Sequence, residues 1–243
     1  MVQRWAALLR ASIGRKLLMS LTGLALIGYL IVHLAGNLQI FVGEGGEAFD
    51  SYAKALEENP LLPLAEVALA ALFVAHIGLG LRTALANREA RPRRYKELAS
   101  HGRRNPASMS MLSSGVIVLV FLVIHVIDFR ILPRHPEGLA STVVRRLATP
   151  EGAAIYLVGV AALGLHLWHA FQSSLQTLGV NHPRYTPAIK RLGFALALLL
   201  AVGFASFPVA SLAWPGLVRK QGESARAGPL RSAPIEAPVE PAR

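Results

Sequence analysis

The chain has 243 residues, of which 53% are apolar and only 16% are charged. The apolar residues are gathered in long uncharged runs, which excludes a soluble globular domain, whose apolar runs are shorter and alternate with polar faces. The formal net charge is +11, but the basic residues lie between the apolar runs and therefore do not indicate a nucleic-acid partner. The chain contains no cysteine, which excludes disulfides and thiolate-held metal clusters within it.

Five apolar runs follow one another along the chain, and each is long enough to cross a hydrocarbon core of about 30 Å, which takes roughly 20 helical residues. They comprise residues 17–42, 61–81 (with Glu66 as the single acid), 109–127, 152–180 and 192–218. The sequence therefore predicts an all-α integral membrane protein with five transmembrane helices in a bundle. We expect residues 1–16 to form an interfacial N-terminal segment, residues 17–218 the transmembrane domain, and the proline-rich residues 219–243 a disordered tail.

The charged residues between the runs predict an orientation, because basic residues are retained on the cytoplasmic side of a membrane. The segment before the first run contains Arg4, Arg10, Arg15 and Lys16 and no acid. The connection from the first run to the second is mainly acidic, whereas the connections from the second to the third and from the fourth to the fifth are basic. This distribution places the N-terminus inside and the C-terminus outside in a multi-pass membrane protein.

Histidines lie inside four of the five runs: His33, His76, His125 and the pair His166 and His169. Ionisable side chains are costly in hydrocarbon and often mark function there, and imidazole is a common axial ligand of haem iron. Four histidines on four helices are the number that two bis-histidine haems require. The alternatives are hydrogen bonds between helices, a proton relay, or a zinc or copper site, although a metal site usually recruits carboxylates or sulfur as well.

The depths of the histidines favour two pairs. With a rise of about 1.5 Å per residue, His33 and His125 each lie roughly 24 Å from the predicted inner ends of their runs. His76 and His166 each lie about 21–23 Å from the predicted outer ends of theirs. One haem between His33 and His125 and another between His76 and His166 would therefore be stacked across the bilayer. Spacing alone does not choose between His166 and His169, which share a helix face.

Several glycines and one arginine near these histidines could contribute to a haem site, and each also has an ordinary structural explanation. Glycines would let a flat macrocycle approach the backbone, or they would permit ordinary close packing of helices; they are Gly28, Gly36, Gly78, Gly80, Gly115, Gly159 and Gly164. Arg82 follows His76 by six residues. Its guanidinium could pair with a haem propionate, or it could be an ordinary cytoplasmic anchor.

Two segments carry a resemblance to a known family. Residues 16–41 (KLLMSLTGLALIGYLIVHLAGNLQIF) and 166–185 (HLWHAFQSSLQTLGVNHPRY) resemble the first and fourth helix signatures of a cytochrome b. The family is the di-haem membrane anchor of succinate:quinone oxidoreductases (succinate dehydrogenases and fumarate reductases), of the type with a single five-helix subunit. The second segment is the more specific, and the resemblance covers roughly residues 10–215.

The resemblance implies roles for particular residues. His33 and His125 would ligate the distal haem iron, and His76 and His166 the proximal haem iron. His166 fits the family pattern, with Ala170 and Gly179 at the expected distances, and His169 does not. Ser20 matches a position that contacts a proximal propionate. Some relatives have a glutamate implicated in proton transfer two residues before the fourth ligand, where this chain has Gly164, which argues against a proton pathway through that position.

The resemblance also implies the function and the partners. Such a subunit anchors a flavoprotein subunit with FAD and an iron–sulfur subunit to the cytoplasmic membrane of a prokaryote, and the complex can form a higher oligomer. The flavoprotein oxidises succinate in the tricarboxylic acid cycle, and the anchor passes the electrons through two haem b groups to menaquinone or another quinone. The anchor is not itself catalytic for succinate but is expected to contribute the quinone site. Candidates for that site at the outer end are Asn37, Gln39, Glu44 and Glu47, which could equally belong to a solvated loop, and a site at the inner face near Ser20 is the alternative.

Three other functions stay open on the sequence. The first is a fumarate reductase anchor of the same family, and the second is the cytochrome b subunit of a hydrogenase or a formate dehydrogenase. The third, from a different class, is a haem-free transporter subunit that uses histidines in a proton relay.

Overall fold

The computed structural model describes residues 11–89 and 110–214, and their regular secondary structure is entirely helical. Five of the helical segments are long and apolar enough to cross a membrane. They are α1 (Ser12–Asn37, continued by a 3₁₀ turn, Leu38–Phe41), α3 (Leu62–Glu89), α4 (Met111–Val126, continued by a π-helical segment, Ile127–Ile131), α6 (Pro150–Thr177) and α7 (Thr186–Ala213). For the described residues, the predictions of an all-helical fold and of five candidate spans, which indicate a multi-pass membrane protein, are therefore confirmed.

The helices extend beyond the uncharged runs. Helix α1 begins at Ser12 and so includes Arg15 and Lys16, and α7 begins at Thr186 and includes Lys190 and Arg191. A helix of 28 residues, such as α7, measures about 42 Å, which is the thickness of a bilayer with its headgroup regions. Long basic side chains at such helix ends can extend their charge into the interface, so an uncharged run marks the hydrocarbon crossing rather than the whole helix.

Two short helices lie in the connections, where the sequence analysis expected none: α2 (Glu47–Glu57) and α5 (Leu139–Leu147). Helix α5 buries Ala140, Ser141, Val144 and Leu147 along one face, and it packs against α2, α6 and α7. The backbone N–H of Ala140 donates a 2.8 Å hydrogen bond to Asp50 Oδ1 on α2. This bond satisfies one of the free N–H groups at the start of α5 and joins the two connections.

Helix α6 lies at the centre of the packing, against α1, α4 and α7. Small residues on α6 are buried at these contacts, among them Gly152, Ala153, Gly159 and Ala162, and small residues allow helices to approach closely. Helix α3 differs, because it packs against α1 and has no buried residue. Its side chains also reach α6, where His76 faces His166, and the π-helical segment, where Glu66 pairs with Arg130.

Three sequence-based predictions fall on other parts of the chain. Most of the interfacial segment (residues 1–16), the basic connection around residues 90–109 and the tail (residues 219–243) lie outside the described residues.

Candidate metal centres

Four of the intramembrane histidines form two pairs in the structure. The rings of His33 on α1 and His125 on α4 have centroids 5.9 Å apart and planes 89° apart. The rings of His76 on α3 and His166 on α6 have centroids 6.5 Å apart and planes 80° apart. We call these the first and the second histidine pair. Each pair joins two different helices, and the partners are those that share a predicted depth.

The separation within each pair leaves room for one metal ion. A metal–imidazole bond is roughly 2 Å long, and each nitrogen lies roughly 1 Å from the centre of its ring, so an ion held between two imidazoles needs centroids about 6 Å apart. Both observed separations, 5.9 Å and 6.5 Å, are close to that value.

Aromatic side chains surround the first pair. Tyr29 stacks on His33 at 5.3 Å, and Phe204 lies 5.8 Å from the same ring. On the other side, the His125 ring contacts Phe121, Phe129 and Tyr156, with centroids 5.9, 5.4 and 6.0 Å away. These rings make the surroundings of the pair largely apolar, and a low local dielectric constant strengthens electrostatic interactions there.

Two glycines allow the second pair to lie close to neighbouring helices. A Cβ atom on Gly23 would lie 3.1 Å from His76 Cε1, and one on Gly115 would lie 3.3 Å from His166 Cε1. Both distances are shorter than an ordinary van der Waals contact between carbon atoms, about 3.5–4.0 Å.

Gly23 was not among the glycines singled out from the sequence. Of those that were, Gly28, Gly78 and Gly80 have open space beside them, and Gly36, Gly159 and Gly164 pack against other side chains.

Each pair contains one buried ring nitrogen that lacks a hydrogen-bond partner among the described residues: Nδ1 of His125 and Nδ1 of His166. Leaving a buried polar atom unsatisfied costs about 1–3 kcal/mol. Each of these rings therefore has unused capacity for a ligand or a bound group. In the second pair, His76 Nδ1 does have a partner, since it lies 3.1 Å from Thr22 Oγ1.

The donors available at each pair are two neutral imidazoles. The described residues contain no group of three or more histidine, cysteine or acidic side chains that could hold a metal ion. A bare zinc ion normally takes three or four protein ligands, so two imidazoles suit it poorly. They do match the two axial positions of a haem iron, whose macrocycle supplies the other ligands. The residues present therefore fit a haem better than a protein-held ion.

The other residues that the sequence analysis proposed for the haem sites are His169, Ser20 and Arg82. The ring opposite His76 is that of His166, and His169 lies one turn farther along α6. Ser20 is buried, with 4% of its surface exposed, and it lies on α1 two residues before Thr22. Arg82 is exposed on α3.

The suggested quinone residues lie at the end of α1, in the 3₁₀ turn after it and in the connection that leads into α2. The Asn37 side-chain amide donates a 2.8 Å hydrogen bond to the His33 backbone carbonyl, which is a capping role within α1 itself. Gln39 is partly buried, and Glu44 and Glu47 are exposed.

A partly buried polar cluster beside the first pair was missed by the sequence analysis. The Asp128 carboxylate accepts hydrogen bonds from Arg146 Nε at 2.8 Å and from the Tyr156 hydroxyl at 3.0 Å. The hydrogen bond from Arg146 to this carboxylate raises the pKa of the guanidinium, although burial lowers it in part. The available signal was the spacing, because Asp128 follows His125 by three residues and so shares its helix face.

No protein-family model matches this chain, and no curated protein and no solved structure matches it either.

Proposed function

We propose that this chain is the membrane anchor and electron-transfer subunit of a succinate:quinone oxidoreductase, in which a five-helix bundle holds two stacked haem b groups. The observation that supports a role in electron transfer is that the histidines face each other in two pairs, His33 with His125 and His76 with His166. The assignment to succinate and quinone is carried by the resemblance of residues 16–41 and 166–185 to the family's helix signatures.

The spacing of the two pairs along the helices supports transfer across the membrane. On α1, His33 and Thr22, which contacts His76, are eleven residues apart, or about 16 Å along the axis. On α4, His125 and Gly115, which lies beside His166, are ten residues apart, or about 15 Å. Two helices thus give the same separation, about half of a hydrocarbon core of roughly 30 Å.

The chain's own residues would hold and shield the cofactors. The four imidazoles would supply the ligating nitrogens, the glycines at 23 and 115 leave space for the rings of the second pair, and the aromatic side chains would shield a haem at the first pair from water. When bound, each haem would accept and release one electron, with a potential tuned by ligation, hydrogen bonding and burial. Movement of an electron through the field would couple the reaction to the membrane potential, by about 2.3 kcal/mol per 100 mV.

The proposed partners are an iron–sulfur subunit and a flavoprotein with FAD, on the cytoplasmic side of a prokaryotic cell membrane. The polar end of α6 (Gln172, Ser173, Ser174, Gln176 and Thr177) is the described surface that suits such docking. Menaquinone or another quinone would be the electron acceptor.

The test is a redox-titrated visible spectrum of the full chain purified from its native membrane, with the haem quantified as its pyridine haemochrome. We expect two low-spin haem b groups per chain that titrate in two steps and are reduced by succinate in the copurified complex. Absence of haem would overturn the proposal and favour a transporter subunit. Two haems reduced by hydrogen or formate, but not by succinate, would keep the electron-transfer role and overturn the family assignment.

A further inference from the structure

The hydroxyl group of Thr22 on α1 is shared between its own helix and His76 on α3. Thr22 Oγ1 lies 3.1 Å from His76 Nδ1, 2.9 Å from the Leu18 carbonyl oxygen and 3.0 Å from the Met19 carbonyl oxygen. A hydroxyl has one proton to donate, and a carbonyl oxygen can only accept. With two carbonyl oxygens in reach, the proton is directed back into α1. That leaves an oxygen lone pair toward His76, and this lone pair accepts a hydrogen bond only when the ring carries its hydrogen at Nδ1.

We propose that Thr22 is a positioning residue that fixes the tautomer of His76 and thereby presents Nε2 as its metal-binding nitrogen. A neutral imidazole has one N–H, so a hydrogen at Nδ1 leaves the free lone pair on Nε2. The inference rests on the proposed function, because it treats His76 as a haem ligand. It concerns the haem of the second pair, to which His76 belongs; in the first pair, Nδ1 of His125 has no such partner in the described part of the chain.

Gly23, the next residue, makes this contact sterically feasible. A Cβ there would lie 3.1 Å from His76 Cε1, so a larger side chain would push the ring away from the Thr22 hydroxyl. The dipeptide Thr22–Gly23 therefore provides both an acceptor and the space for the ring that uses it.

The hydrogen bond has a consequence for the redox potential. An acceptor on the far nitrogen of a ligating histidine fixes the ring and raises its basicity, and loss of such a partner typically changes metal affinity 10–100-fold. A more basic imidazole stabilises ferric iron more than ferrous iron. The hydrogen bond from His76 to Thr22 thus lowers the potential of the haem held by the second pair, and its removal should raise that potential.

The experiment compares the midpoint potentials of both haems in the purified full chain and in three variants. Thr22→Val removes the hydroxyl, Thr22→Ser keeps it, and Thr83→Val removes a hydroxyl that bonds to its own helix, at the Leu79 carbonyl oxygen. For Thr22→Val we expect one midpoint potential to rise by about 59 mV, which is a tenfold change in the ratio of oxidised to reduced haem for one electron. Thr22→Ser and Thr83→Val should leave both potentials at their original values.

Single-haem backgrounds identify the haem that responds. Thr22→Val should shift the potential in a His33→Ala chain, which keeps the second pair, and should not shift it in a His166→Ala chain, which keeps the first. Loss of one haem in Thr22→Val but not in Thr22→Ser would also support the inference.

Several results would overturn it: unchanged potentials in Thr22→Val, an equal shift in Thr83→Val, a response in the His166→Ala background, or haem loss in both Thr22 variants. A wild-type chain without haem would overturn the proposed function itself, so the two failures are distinguishable.

Discussion

The imidazole rings of His33 and His125 lie opposite each other on two helices, with centroids 5.9 Å apart and planes 89° apart. The second pair repeats this arrangement with two other helices. Each imidazole faces one other imidazole, and the two pairs are separated by about 15 Å along the helix axis. The pairs should therefore behave as two independent sites, each of which needs both of its members.

Haem content should follow this pairing. His33→Ala and His125→Ala should each lower the haem content from two groups per chain to one, and the double variant should lose no more than either single variant. His76→Ala and His166→Ala should each remove the other haem, so that a variant combining one change from each pair retains none. The measurement is pyridine haemochrome per chain. His169→Ala is the matched control on α6 and should keep two haems; a loss there, with retention in His166→Ala, would reverse the choice of ligand.

The angle between the rings predicts a spectroscopic signature. Axial imidazoles with nearly perpendicular planes leave two d orbitals of low-spin ferric iron almost degenerate, which produces a strongly anisotropic EPR signal. Since the planes meet at 89° in the first pair and 80° in the second, both haems should give signals of this type. Low-temperature EPR of the oxidised chain, and of the single-haem variants, measures each one. An ordinary rhombic spectrum from either haem would contradict the ring orientation in that pair.

Gly115→Ala should weaken the second site. The new Cβ would lie 3.3 Å from His166 Cε1 and 3.5 Å from Nδ1, so the ring would have to move by a few tenths of an ångström. Overpacking of this kind typically costs about 1–3 kcal/mol, and we expect faster loss of one haem in detergent or a shift of one midpoint potential. Gly78→Ala is the control, because it changes a helical glycine with open space beside it. If the two variants lose haem equally, the close contact between Gly115 and His166 is not needed to retain the haem.

Hydropathy and spacing predicted the five spans and grouped the histidines by depth, because the length of a run and a position along an axis are one-dimensional properties. Hydropathy and spacing do not determine how each helix is rotated about its own axis. His166 and His169 differ by about 300° of rotation, which amounts to about 60° between the directions of their side chains, and the spacing left both as candidates. The structure orients His166 toward His76 through the packing of α6 against its neighbours.

The contacts that the sequence analysis missed join distant residues. Thr22 and His76 are 54 positions apart, and Asp128 meets Arg146 and Tyr156, which are 18 and 28 positions away. Asp128 was excluded from the third run because hydropathy ends a span at the first charge, whereas the helix continues as the π-helical segment Ile127–Ile131. A charge at such a position is stabilised by partners that only the folded chain supplies.

The partly buried cluster at Asp128 should contribute measurably to stability. Its side chain is 9% exposed, and that of Arg146 is 28% exposed, so the hydrogen-bonded ion pair is largely shielded from water. Asp128→Ala would leave the Arg146 guanidinium and the Tyr156 hydroxyl without their common acceptor, and we expect a loss of about 2–3 kcal/mol in the free energy of unfolding.

The exposed pair of Lys54 and Glu58, with side chains 75% and 68% exposed, provides the control. Lys54→Ala should change the free energy by less than about 1 kcal/mol. Unfolding in mixed detergent micelles, followed by tryptophan fluorescence, compares the two variants; equal stabilities would mean that water or lipid headgroups replace the partners of Asp128.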